Sequence, residues 1–153
     1  MVDAADLSKS VGDDDNGGLR QAAEYLHDML LLLQTQSTRS KSFQATKALP
    51  VMIAANKLDL FTALPAPLVQ KALEAEITSV RSSRSKGLLD SGIDMDDMDV
   101  GEEKDWLGEG GEGKFEFSQM EEVGVPVTVL GGNVIGSESP DVAKWWDWIG
   151  SNL

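Results

Sequence analysis

The sequence contains no cysteine among its 153 residues. That excludes a disulfide framework, a thiolate nucleophile and a zinc–thiolate site. A single histidine, His27, excludes any multi-histidine metal centre. Basic residues are scarce: 13 Lys and Arg stand against 26 Asp and Glu, a net charge of −13. Such a chain is repelled by nucleic acid and by anionic membranes, so nonspecific binding to either is excluded as a function. Long apolar runs are also missing. Met29–Leu33 is far short of the ~20 residues that a membrane-spanning helix needs. The opening residues, Met1 to Asp6, carry no basic stretch followed by an apolar one, so no signal peptide is expected. What remains is a chain of single-domain length with 41% hydrophobic and 25% charged residues, an ordinary globular composition.

The negative charge is concentrated. Between Asp90 and Gly113 ten acids face Lys104 alone, a net of −9, and six glycines accompany them. A stretch this charged and this poor in periodic apolar residues cannot offset its ordering entropy. Residues 88–113 are therefore expected to form an acidic, disordered insert. The string Asp94-Met95-Asp96-Asp97-Met98-Asp99 superficially suggests a calcium loop. An EF-hand counted from Asp94 needs Gly at its sixth position and Glu at its twelfth, but Asp99 and Asp105 stand there. No metal site is expected.

Outside the insert the periodicity alternates between helix and strand. Leu19, Ala22, Ala23, Leu26, Met29, Leu30 and Leu33 recur at helical spacing, predicting a helix of about four turns. His27 is expected off that stripe, exposed or at its rim. Leu49–Ala55 is a continuous apolar run, the signature of a strand buried on both faces. A second helix should begin near Pro65 or Pro67 and bury Val69, Leu73, Ile77 and Val80. The basic residues Lys71, Arg81, Arg84 and Lys86 are expected at a solvated helix end facing the acidic insert. A short alternating piece, Lys114–Phe117, precedes a further apolar run, Val125–Leu130. The last helix is expected to be capped by Ser139 with Pro140 in first position. Val142, Trp145, Trp146, Ile149 and Leu153 would be its buried face, with Trp148 off the stripe. Alternating strands and helices imply an α/β fold with a parallel sheet and right-handed crossovers.

In such sheets function gathers at the carboxyl ends of the strands. Asn56-Lys57-Leu58-Asp59 follows the first long apolar strand directly. Asn-Lys-x-Asp is the guanine-recognition element of GTPases. Asp59 has two acceptors for the ring N–H and the exocyclic amine of guanine, a donor pair that adenine does not present. Asn56 holds the loop, and the apolar stem of Lys57 lies along the base. The plain alternative is an Asn/Asp turn closing the strand. Ser82, Ser83 and Ser85 have no base or orienting acid at motif spacing, so nucleophilic catalysis is not expected and no catalytic residue is assigned.

The neighbouring segments extend the resemblance. Val2-Asp3-Ala4-Ala5 looks like the end of the strand that precedes the guanine motif's strand in small GTPases. Ala22–Leu26, Ala54–Asp59, Leu73–Ile77 running into Val80–Ser85, and Phe115–Gln119 together resemble the beta-subunit family of the signal recognition particle receptor, GTPases of the Arf- and Sar-like group. The resemblance covers residues 1–153. It implies the carboxyl-terminal part of a three-layer α/β/α GTPase fold of the phosphate-loop class. It also implies GTP with Mg²⁺ in the full-length protein, the receptor's alpha subunit as partner, and the cytoplasmic face of the endoplasmic reticulum membrane, reached through an amino-terminal anchor. By the same resemblance Asn56, Lys57 and Asp59 read guanine. The second base-contacting loop falls near Gly132 and Asn133, where only backbone donors could serve.

The sequence holds no Gly-x-x-x-x-Gly-Lys-[Ser/Thr] phosphate loop and no Asp-x-x-Gly element ahead of its first strand. The chain is thus expected to be a carboxyl-terminal half that opens inside a strand. Two hydrogen bonds to a charged acceptor supply about 3–6 kcal/mol, whereas micromolar affinity needs about 8 kcal/mol. The chain alone is expected neither to bind GTP tightly nor to hydrolyse it. The alternatives are another Arf-like GTPase of vesicle traffic, or a nucleotide-free protein-interaction module.

Overall fold

A computed structural model describes residues 1–10, 17–40, 48–90, 106–108, 113–136 and 139–153. Its elements run in the order β1 (Val2–Asp3), α1 (Ala4–Ser10), α2 (Gly17–Ser40), β2 (Val51–Asn56), α3 (Ala66–Asp90), α4 (Phe117–Glu122), β3 (Val127–Gly131) and α5 (Ala143–Asn152). The three strands form one sheet in the order β1-β2-β3, parallel throughout. The α/β parallel-sheet class read from the sequence is therefore observed.

Helical packing follows the apolar stripes. Leu19, Ala23, Leu26 and Leu30 of α2 are buried with Val69, Leu73, Ile77 and Val80 of α3, and both sets join Ile53 and Ala55 of β2 in one core. The strand alternation sends successive residues to opposite faces. A Cβ on Gly131 would meet Leu58 and Ala66 at the start of α3, whereas one on Gly132 would meet Trp145 of α5. Helices thus cover both faces of the sheet.

Several local expectations are corrected. The helix α2 spans 24 residues rather than about four turns. Its polar extension has tertiary partners: Gln34 donates to the carbonyl of Trp106 and accepts from the N–H of Gly108, and buried Ser37 donates to the carbonyl of Val123. His27 is buried, only 6% exposed. It lies four residues after Ala23 and three before Leu30, so it belongs to the apolar stripe rather than beside it. Of the basic cluster, Arg81 is 4% exposed and stacks 5.8 Å from the Phe115 ring. Arg84 reaches across to Asp28 of α2.

The piece Lys114–Phe117 pairs with no strand. Phe115 and Phe117 donate their backbone N–H groups to Thr78 Oγ1 and Glu74 Oε1 of α3, their rings meet edge to face at 5.6 Å, and α4 starts at once. At the carboxyl end α5 begins at Ala143, not at Pro140. Asp141 is held extended by backbone bonds in both directions with Asn133. Trp145 is buried and donates its indole N–H to the Leu130 carbonyl. Trp146 is 66% exposed and Leu153 is exposed too, while Trp148 is half-buried. Adjacent residues lie about 100° apart on a helix, so one stripe cannot bury both tryptophans.

Much of the acidic insert, with the Asp94–Asp105 string, falls outside the described residues. Within the insert's bounds α3 continues to Asp90, and Leu107 is buried in the core. Among the described residues no helix is long and apolar enough to cross a membrane.

Candidate base-reading site

The parallel register brings three strand ends to one level. Asp3 pairs with Asn56, and Ala55 pairs with Gly131. The chain leaves β2 through Asn56–Asp59 and leaves β3 through Gly131–Val134, so the two loops emerge side by side.

They are tied together by main-chain and side-chain bonds. Gly132 donates its N–H to the Ala55 carbonyl (2.9 Å), and Leu58 donates to the Gly132 carbonyl (3.2 Å). Asn56 Oδ1 accepts from the N–H of Val134 at 3.0 Å. Asn56 therefore spends its carboxamide oxygen fixing the second loop, the loop-holding role its position in the motif suggests. The loop after β3 is itself rigid. Asn133 is buried; its Oδ1 accepts from the N–H of Asp141 at 2.8 Å and its Nδ2 points to the Ser139 carbonyl at 3.4 Å. Its side chain is committed within the loop and offers a ligand only its backbone. Gly132 is packed so closely that a Cβ would run into the Asp141 carbonyl and lie 2.9 Å from the Trp145 ring.

Lys57 turns the chain out of the strand with φ 67°, a left-handed conformation that non-glycine residues seldom adopt. Its ammonium pairs with Asp3 Oδ2 at 2.5 Å. The other carboxylate oxygen of Asp3 accepts from the N–H groups of Ala5 (3.1 Å) and Asp6 (3.3 Å), capping α1. The Lys57 contact and those N–H bonds hold the Asp3 carboxyl below its ordinary range, and Asp3 in turn raises Lys57 above its own. Asp3 is a site residue that the four-residue motif does not contain; the register Asp3↔Asn56 is what exposes it.

Asp59 lies within the turn that the Leu60 N–H closes on the Lys57 carbonyl (3.1 Å), is exposed, and no hydrogen bond or ion pair engages its carboxylate among the described residues. Two acceptor oxygens are free there, the donor-matching pair that guanine's N–H groups require. Two shallow depressions mark the described surface. One of about 400 Å³ lies on α2 beside Leu32 and Arg39, the other of about 180 Å³ beside β1 at Val2 and Asp6. Neither of these two is lined by Asn56–Asp59, whereas Asp3 lines the second. Among the described residues no group of three or more His, Asp or Glu side chains converges as a metal site.

Residues 10–125 match the family described as the signal recognition particle receptor beta subunit. The beta subunit of that receptor from Saccharomyces cerevisiae is 27% identical over 135 residues, 88% of this chain and 49% of the relative. A solved signal recognition particle receptor SRb–GDP–Mg structure from Chaetomium thermophilum is 42% identical, with a TM-score of 0.78, covering 100% of this chain and 59% of that one. An SRb–GTP/SRX complex from the same organism has the same identity and TM-score, covering 100% of this chain and 48% of that one. The chain spans about half the length of the curated relative it matches.

Proposed function

Because this chain belongs to the beta-subunit family of the signal recognition particle receptor, we propose that it forms the guanine-reading end of a GTP-binding subunit. That subunit holds the receptor's alpha subunit at the endoplasmic reticulum membrane for co-translational targeting. The observation that carries the reading is the unengaged Asp59 carboxylate beside the clasp between Asn56 and the Val134 N–H. A carboxylate left open at the end of a parallel strand, next to a rigid second loop, matches a base with two adjacent donors.

In this reading Asp59 accepts from the ring N–H and exocyclic amine of guanine. Asn56 fixes the second loop, and Lys57 lays its stem along the base. The backbone of Gly132 and Asn133 offers donors to the purine's remaining acceptors. Phosphate and Mg²⁺ would be held by the part of the complete subunit that the relatives have beyond this chain's span, and no step of hydrolysis is assigned to residues here. The GDP–Mg and GTP/SRX states of the Chaetomium structures support nucleotide and alpha-subunit binding for the complete subunit. The absence of a Gly-x-x-x-x-Gly-Lys-[Ser/Thr] string from the sequence supports the expectation that the chain alone lacks phosphate-loop affinity.

The test is Asp59→Asn in the complete subunit carrying this sequence. Asparagine presents one donor where aspartate presents an acceptor, which suits the carbonyl of xanthine. GTP affinity is expected to fall by about tenfold or more, roughly 1.4 kcal/mol, while XTP affinity rises. Equilibrium titration with both nucleotides decides it; GTP affinity within about twofold of the parent's would reduce Asn56–Asp59 to a turn.

A further inference from the structure

Lys57 leaves β2 in a left-handed conformation, two residues before the open carboxylate of Asp59. Lysine is a flexible point charge with three donors, and it seeks the nearest acceptor. The acids whose charge reaches it are Asp3, Asp6 and Asp59. Were Lys57 to settle on Asp59, it would occupy an acceptor that guanine needs and draw its own stem away from the base plane. The observed partner is Asp3, on a different strand, at 2.5 Å.

We propose that Asp3 is a positioning residue for the base site: it captures the Lys57 ammonium across the strand ends and thereby keeps Asp59 open. This rests on the reading of Asn56–Asp59 as the guanine site. Three features suit Asp3 to the task. The β1–β2 register sets it opposite Asn56, one residue from Lys57. Its Oδ1 is fixed by the N–H groups of Ala5 and Asp6, which leaves Oδ2 aimed at the ammonium rather than free to rotate. It is brought beside β2 by the parallel ladder, so its contact with Lys57 is made by tertiary structure and not by local sequence.

A double-mutant cycle on GDP dissociation from the complete subunit tests this. Asp3→Ser retains a capping hydroxyl for α1 and removes the charge; Asp3→Asn, which keeps the shape, is the second variant should the first fold poorly. Either is expected to weaken GDP about five- to tenfold in the native background and to have no effect beside Lys57→Ala, since a positioning role vanishes with its object. An equal loss in both backgrounds would show Asp3 acting through α1 and would overturn the proposal. So would no loss in either. Asp59→Asn is measured alongside: if it leaves GDP affinity unchanged, the base-site reading itself falls and takes this proposal with it, whereas loss for Asp59→Asn without coupling between Asp3 and Lys57 removes the proposal alone.

Discussion

Individual residues at the strand ends divide into those whose polar groups are left open and those that hold the loops. Asn133 carries a carboxamide where the resemblance places a second base-contacting loop, yet its oxygen and nitrogen are both spent inside the 133–141 loop. Gly132 is indispensable for a steric reason rather than a conformational one. Any Cβ there meets the Asp141 carbonyl, which the antiparallel bridge to Asn133 fixes, and the Trp145 ring, which its hydrogen bond to Leu130 fixes. Neither neighbour can swing away. Gly132→Ala is expected to cost about 1–3 kcal/mol, the usual range for overpacking, read as a lower urea midpoint at unchanged m-value. A midpoint equal to the parent's would show the loop to be compliant. The proposed base-reading residues Asn56, Lys57 and Asp59 are legible in the sequence because they fall within one four-residue string. Asp3 and the Val134 N–H are not, because strand register and a loop clasp bring them in from 53 and 78 positions away.

At the scale of elements, the stripes that face two neighbours at once are legible from spacing, and those that face one are not. Val69, Leu73, Ile77 and Val80 of α3 pack against α2 on one side and the sheet on the other, and all four are buried as their spacing predicts. Ile77→Ala should therefore cost about 2–5 kcal/mol, the range for emptying a buried aliphatic site, measured by chemical denaturation. A loss below ~1 kcal/mol would mean the site collapses around the smaller side chain. Among the described residues helix α5 packs chiefly on β3. Its Trp145–Trp146 pair leaves the stripe ambiguous by one residue, and only the hydrogen bond to Leu130 resolves it. The ends of α2 are hidden for a different reason. Polar residues such as Gln34 and Ser37 extend it through tertiary partners that no periodicity records. Arg81 is the sharpest departure from pattern: its three guanidinium nitrogens are buried without a hydrogen-bond partner among the described residues, and burial lowers its pKa. The Phe115 ring face at 5.8 Å is its compensation.

For the whole molecule, the net charge of −13 sets the response to pH, but one cross-helix link, between Asp28 and Arg84, makes part of it attributable. Asp28 on α2 is gripped by both arms of Arg84 from α3, its Oδ2 lying 3.2 Å from Nη2, and His27 Nδ1 lies 3.1 Å from its Oδ1. Arg84 first, then His27, hold the Asp28 carboxyl at about 2, below the ordinary carboxylate value. A carboxyl whose folded pKa is depressed takes up its proton in the unfolded chain first as pH falls. Its contribution is therefore complete above the unfolded value of about 4 and is lost between there and pH 2. The side chain is 58% exposed, so solvent screening limits the pair to about 0.5–1 kcal/mol despite the bidentate geometry. Asp28→Asn should then lower stability by that amount at pH 7 and by almost nothing at pH 2, with the difference between the two proteins closing through that window. Urea denaturation of both at several pH values checks it. A constant difference down to pH 2 would show that the substitution removes packing rather than charge.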